Sequence, residues 1–337
     1  MNITKKLVSG ITATGKLTLG NYLGAIKNFV KLQYEYDSYF FVADLHALTI
    51  DITPSELKTN KKDIFALYLA CGIDPNVATI FFQSDVSQHS ELYWILTNNS
   101  TMGELNRMTQ FKDKSSKVKN SNGTESVPTG LFMYPILMAS DILLYNANVI
   151  PVGDDQIQHI ELTRSLANRI NSKYNLNLTL PEAIVPKIGA KIKSLTQPEK
   201  KMSKSDSNPK STIYLLDDPQ VAYNKIMKCV TDSENKIYIS DHKPGISNLL
   251  TIYAALNEIS VEEAQTFFKD KNYLELKTAV ANDVKNLLIK IQEKYHNSLK
   301  NIELYAQIGA KKAQFVAKKT MNKIYKKVGL GEKNESK

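Results

Sequence analysis

Arginine is nearly missing from this sequence. Of 43 basic residues only Arg107, Arg164 and Arg169 carry a guanidinium; the rest are lysines, flexible point charges rather than planar forks. Such a surface attracts phosphate without reading its geometry. The net charge of +9 is compatible with solubility alone or with an anionic partner, and composition does not separate the two. Cysteine is scarce as well. Cys71 and Cys229 stand far apart, with no CxxC or Cys/His cluster near either, which excludes a disulfide framework and a structural zinc. No apolar run approaches the roughly 18 residues of a membrane helix, and the stretch Met1 to Gly10 has no apolar h-region. The expectation is a cytoplasmic protein without membrane contact. The Asn-x-Ser/Thr matches at Asn98, Asn99 and Asn122 then read as chance. With 14 Gly and 11 Pro, collagen-like and low-complexity classes are out, and 42% hydrophobic residues suffice for a large core in one or two domains. No internal repeat is visible.

What is present is an alternation. From Leu7 to Ser84, short β-branched and aromatic runs (Leu7 to Ile11, Ser38 to Asp44, Ala78 to Gln83) alternate with stretches of helical period (Gly20 to Gln33, Pro54 to Gly72). This is the signature of βαβ units and a parallel sheet. Met102 to Thr129 breaks the rhythm, and Asp113 to Val127, rich in Lys, Ser, Asn and Gly, predicts a mobile surface loop or lid. Leu131 to Asn146 reads as an apolar helix, Val149 to Val152 as a buried strand and Gln156 to Lys173 as a helix; Lys187 to Lys210 is a second polar, lysine-rich loop. Beyond Leu216 every segment reads as helix: Pro219 to Thr231, Ile246 to Leu256, Val261 to Phe268, Tyr273 to Leu299 and Ile302 to Val328. The domains are therefore expected at 1–216, α/β, and 217–337, all-helical.

Several segments carry chemistry. The small-residue run Ser9 to Asn21 leaves the first strand and opens a helix, where unpaired N–H groups and the dipole favour a nucleotide phosphate; a purely structural β–α turn is the plain alternative. Lys200-Lys201-Met202-Ser203-Lys204-Ser205 sets ammonium and hydroxyl groups on a polar loop that can close on a triphosphate, or is simply solvated. On the Leu131 to Asn146 helix, Tyr134, Met138, Asp141 and Tyr145 share one face, and a carboxylate in an apolar stripe needs a partner, an indole N–H or a core cation. Gly153-Asp154-Asp155-Gln156 follows a strand and starts a helix, where an Asp pair often caps. His46 ends a strand, the place where open α/β sheets put ligands. Lys311, Lys312, Lys318, Lys319, Lys323, Lys326 and Lys327 interleave with apolar residues, giving one packed and one basic face, solvated or laid on nucleic-acid backbone.

Lys-Met-Ser-Lys-Ser at Lys201 to Ser205 is identical to the signature loop of class I aminoacyl-tRNA synthetases, and Thr18-Leu19-Gly20-Asn21 stands where that class has its His-Ile-Gly-His tetrapeptide. The resemblance extends through Gly103 to Lys112, Tyr134 to Leu143, Pro151 to Gln156 with Gln158 to Arg164, and Lys243 to Leu250. As a set these segments resemble the bacterial-type tryptophanyl branch rather than the tyrosyl one or a catalytically silent RNA-binding paralogue. Arg107 and Arg164 fall inside matched segments, so the retained arginines point towards the site. The chain departs from the family pattern at Val8 and at Thr12-Ala13-Thr14, and its Lys114 to Thr129 loop is longer than usual.

The resemblance implies a Rossmann-type catalytic domain with a C-terminal helical anticodon-binding domain, and a homodimer. It implies ATP, carried with Mg²⁺ and no dedicated protein metal site, as co-substrate of L-tryptophan, and tRNA(Trp) as acceptor. Tryptophan's carboxylate would attack the α-phosphorus, and the acyl group would pass to a terminal ribose hydroxyl. Thr18, Asn21, Lys201 and Lys204 are the implied catalytic residues. ATP binding would add Thr12, Ala13, Thr14, Gly20, Lys114, Gly153, Asp154, Asp155, Ile192, Met202, Ser203 and Ser205. Tryptophan would meet Asp141, Tyr134, Met138, Gln156, His46 and Val8.

Overall fold

A computed structural model of the chain describes residues 5–115, 127–185, 191–204, 206 and 208–331. Five parallel strands form its sheet: β1 (Lys6–Thr12), β2 (Asp37–Ala43), β3 (Thr79–Phe82), β4 (Val149–Pro151) and β5 (Glu182–Ile184), in the order β3-β2-β1-β4-β5. The chain moves outward from β1 to β3, then returns to lay β4 on the other side of β1. That reversal puts a crevice at the carboxyl ends of β1 and β4.

Period-2 alternation assigns the side chains to two faces. Leu7, Ile11, Phe40, Val42 and Ile80 face one core, and Val8, Tyr39, Phe41, Ala43 and Phe81 the other. Both faces are covered, so the strands are apolar throughout. After β1 come α1 (Leu19–Asn21), a π turn (Tyr22–Ile26) and α2 (Lys27–Leu32). Next are α3 (Asp44–Ala47), α4 (Pro54–Ala70), α5 (Gln88–Thr97), α6 (Met102–Asn106), α7 (Thr109–Ser115), α8 (Thr129–Leu143) and α9 (Ile157–Tyr174). The helical stretch holds α10 (Pro219–Met227), α11 (Pro244–Asn257), α12 (Val261–Phe268), α13 (Tyr273–Lys300) and α14 (Ile302–Val328). Reciprocal capping boxes start α4 (Thr53 with Glu56), α6 (Thr101 with Glu104), α12 (Ser260 with Glu263) and α13 (Asn272 with Glu275).

The structure corrects the sequence reading in places. The Met102 stretch is helical at its start, as α6 and α7, because the Thr101–Glu104 box nucleates a turn that composition conceals. Most of the expected lid, residues 116–126, lies outside the described residues. Helix α5 and strand β5 had no matching expectation. α5 has only ten residues with a polar start, and β5 is a three-residue edge strand.

The residues after Leu216 do not stand apart from the sheet. Helix α13 packs along α4, and α14 crosses the β3 edge, placing Ile302 and Ala306 in one core and Ala313, Ala317 and Met321 in the other. That crossing covers an edge strand that would otherwise offer unpaired backbone groups. Gly309 makes it possible: a Cβ there would overlap the Ile80 carbonyl oxygen. Gly309→Ala is expected to destabilise the fold by about 2–4 kcal/mol, since backbone rather than a flexible side chain blocks the added methyl. Urea denaturation checks this, and an unchanged midpoint would remove α14 as the clasp of the sheet.

Candidate active site

A cleft of about 330 Å³ opens at the switch point, walled by Val8, Gly10 and Thr12 of β1 and by Ile150, Pro151 and Val152 at the end of β4. Thr14, His46, Tyr134, Met138, Asp141 and Gln156 complete much of its lining. The structure thus gathers all six residues expected to meet an amino acid. It divides the Tyr134 stripe as well, since Tyr145 turns away into the core.

Asp141 is the polar centre of the cleft and only 2% exposed. Its Oδ1 accepts from Gln83 Nε2 at 2.7 Å and lies 2.6 Å from His89 Nδ1, and its Oδ2 lies 2.8 Å from His46 Nε2. Burial pushes this carboxyl up, but the hydrogen bonds from the two imidazoles outweigh it and hold the group below the usual carboxylate range. An ionised carboxylate offers about four acceptor positions. With two taken on Oδ1 and one on Oδ2, one on Oδ2 has no donor among the described residues, beside the cleft. The core-cation alternative is answered by imidazoles instead of a lysine or arginine.

The opposite wall is tied by another network. Tyr134 donates its hydroxyl to Gln110 Oε1 at 3.0 Å, and Gln110 Nε2 reaches the Asp155 carbonyl and carboxylate at 3.1 Å each. Burial, with the Asp155 charge behind it, pushes the Tyr134 phenol up to about 12, so it remains a donor. Helix α7 thereby connects the Tyr134 wall of the cleft to the Gly153–Gln156 turn. The Asp pair of that turn does not cap, because Gly153 and Gln156 occupy the cap positions without side-chain bonds. Asp154 instead pairs with Lys191 at 3.0 Å on the surface.

The lysine loop docks on the start of α1. Met202 and Ile192 are buried and lie beside Gly20, with Met202 N donating to Ile192 O at 2.9 Å. These two, expected near ATP, are hydrophobic anchors of the loop. Ala13 is likewise in the core, while Thr12 and Thr14 on either side line the cleft. Lys201 and Ser203 are exposed, and Lys204 Nζ donates to the carbonyl of Gly15, whose φ of +105° suits only glycine. Burial pushes the Lys204 ammonium down to about 8. Ser205 and the side chain of Lys114 lie outside the described residues.

Thr18 and Asn21 do not both present donors. Thr18 is 2% exposed, and its hydroxyl accepts from Asn21 N and donates to Asn21 Oδ1, each at 3.1 Å, while Thr18 N donates to Asn21 Oδ1 at 3.0 Å. This is a capping box with asparagine in place of the usual acid. Its consequence is orientation: Oδ1 is spent inward, and Asn21 Nδ2 makes no hydrogen bond among the described residues. Thr18 acts through Asn21. Gln83 and His89 escaped the sequence reading, although a glutamine closing the apolar run Thr79–Phe82 was a visible signal.

A parallel sheet with a ligand-sized cleft at its switch point and a lysine loop on its first helix describes a nucleotide-dependent enzyme of the synthetase type. The chain belongs to the tRNA synthetases class I (W and Y), whose family model matches residues 3–289, and is thus an aminoacyl-tRNA synthetase, a ligase. It is 58% identical over 329 residues to the tryptophan–tRNA ligase of Mycoplasmopsis pulmonis, covering 98% of this chain and 99% of that one. The crystal structure of tryptophanyl-tRNA synthetase from Mycoplasma pneumoniae superposes with a TM-score of 0.92 at 42% identity, covering 98% of this chain and 99% of the other. That of the Campylobacter jejuni enzyme, complexed with ADP and tryptophan, matches with a TM-score of 0.79 at 33% identity, covering 96% and 99%.

Thr18→Ala is expected to cost about 1 kcal/mol of stability through the lost cap, with Thr18→Ser close to the parent. Urea titration of both variants checks this, and equal midpoints for Thr18→Ala and the parent would show the cap to be idle.

Proposed function

We propose that the chain activates L-tryptophan with ATP and transfers it to the 3′ end of tRNA(Trp). The observation that carries this reading is the buried, ionised Asp141, with one acceptor position left in a cleft that Val8, Phe41, Met138 and Ile142 also line. Indole suits that cleft, being a single N–H donor on an apolar ring. Val8, Met138 and Tyr134 would flank the ring; Gln156 would reach the α-amino group or carboxylate of the amino acid, and His46 would face the substrate.

ATP, arriving with Mg²⁺ on its phosphates, would lie along Thr12, Thr14 and the start of α1. Asn21 Nδ2 and the ammonium groups of Lys201 and Lys204 would face the phosphates, with Gly153 and Asp155 at the ribose side. No side chain becomes covalently attached: the tryptophan carboxylate attacks the α-phosphorus, pyrophosphate leaves, and the protein contributes positioning and charge. Residues 1–216 would hold this chemistry. Residues 217–337 would bind the anticodon side of the tRNA, and the exposed lysines of α14 supply a backbone footprint that weakens with salt. A homodimer in the cytoplasm is the setting we infer; among the described residues no helix is long and apolar enough to cross a membrane.

The test is ATP–pyrophosphate exchange with tryptophan, tyrosine or neither. Exchange should require tryptophan, and Lys204→Ala should lower it by about 10²–10³-fold while tryptophan affinity stays within about threefold. Exchange driven by tyrosine, or undiminished in Lys204→Ala, would overturn the reading.

A second expectation concerns protons. Without ligand, Lys204 loses its charge as pH rises through about 8, and a nearby triphosphate favours the charged form. ATP binding at about pH 8.5 should therefore take up a proton. Calorimetry in two buffers of different ionisation enthalpy measures this uptake, and Lys204→Arg should abolish it. Equal uptake in both proteins would place the titration elsewhere.

A further inference from the structure

Behind Asp141 stands a chain of groups that never reaches the cleft. His89 and Tyr145 are both 0% exposed, and His89 Nε2 lies 2.9 Å from the Tyr145 hydroxyl while its Nδ1 lies 2.6 Å from Asp141 Oδ1. The two contacts fix the tautomer. An ionised carboxylate only accepts, so Nδ1 carries the proton, and in the neutral ring Nε2 accepts from the Tyr145 hydroxyl. The backbone of His89 is held too, its carbonyl accepting from Ser140 Oγ at 2.6 Å.

Gln83 adds a second restraint. Its Oε1 accepts from the backbone N–H of Leu45 and His46 at 3.1 and 3.4 Å, and its Nε2 donates to Asp141 Oδ1. The carboxylate is thus gripped on Oδ1 from two elements and on Oδ2 by the ring of His46.

We propose that His89, oriented by Tyr145, is a positioning residue for substrate recognition: it occupies Oδ1 so that the remaining acceptor on Oδ2 faces the indole slot. This rests on the reading that Asp141 meets the indole N–H. Remove His89 and the carboxylate both loses a donor and gains freedom to rotate, so it no longer presents one defined acceptor. Discrimination between an N–H and its absence should fall, beyond any general loss of activity.

The probe is the tryptophan analogue in which sulfur replaces the indole N–H, compared with tryptophan by kcat/KM in ATP–pyrophosphate exchange. The parent should prefer tryptophan by about 10–100-fold, the size of one hydrogen bond to a charged group. His89→Leu should shrink that preference to about threefold or less, while His89→Asn, whose amide keeps a donor near the Nδ1 position, should retain most of it. Tyr145→Phe, nearly isosteric, should lower it by about threefold, since only the tautomer restraint is lost. A preference unchanged in His89→Leu, or in Tyr145→Phe where the leucine variant does not fold, means that His89 is only packing and overturns the proposal. A parent with no preference would instead remove the Asp141–indole contact itself, and this proposal with it.

Discussion

A carboxylate sealed inside a protein is the constraint around which this site is built. Asp141 sits on an apolar helix at 2% exposure, and leaving such a charge unpaired would cost several kcal/mol. Its donors come from separate places: His46 follows β2, Gln83 follows β3 and His89 lies on α5. Satisfying one charge therefore fixes how three elements sit against α8. The cleft inherits its shape from that requirement, because His46 and Asp141 are wall and anchor at once.

The sheet makes this arrangement possible by having two covered faces. The face that carries Val8, Phe41 and Phe81 packs against α5, α8 and α9, which is where the Asp141 network lies. The opposite face receives α2, α4 and the helices after Leu216, together with the anchors Met202 and Ile192 of the lysine loop. The Asp141 wall of the cleft and the anchors of the lysine loop thus rest on different cores. Helix α14 joins the two by crossing the β3 edge.

Much of this was legible in the sequence. The Leu7 to Ser84 alternation announces the parallel sheet, and the Tyr134–Met138–Asp141 spacing announces a polar group on an apolar stripe, because both periods follow from local geometry. The partners of Asp141 were not legible. Gln83 and His89 lie 58 and 52 residues from it in sequence, and only the fold, which sets the end of β3 and helix α5 beside α8, brings them to it. The cap at Thr18 was not legible for a different reason: a hydroxyl able to reach phosphate is equally able to cap its own helix, and here it bonds Asn21. Ala13 and Met202 show the same limit, since a motif names a segment without saying which of its side chains turn inward.

The scarcity of arginine takes on meaning in the structure. Arg169 grips Glu104 through two nitrogens at 2.6 and 3.1 Å and the Asn99 carbonyl besides, and Arg164 donates to the Pro181 carbonyl at 2.8 Å. Both sit on α9 and tie it to neighbouring segments rather than lining the cleft, so the expectation that retained arginines mark the site fails for Arg164. A planar fork serves where geometry is permanent. Lysine serves at the other end, where Lys204 makes one long contact of 3.4 Å to Gly15 and stays free to re-aim. For the triphosphate-binding role we propose, a loop that releases pyrophosphate needs charge that yields, and a compact ammonium on a flexible stem would provide it where a bidentate clamp would not.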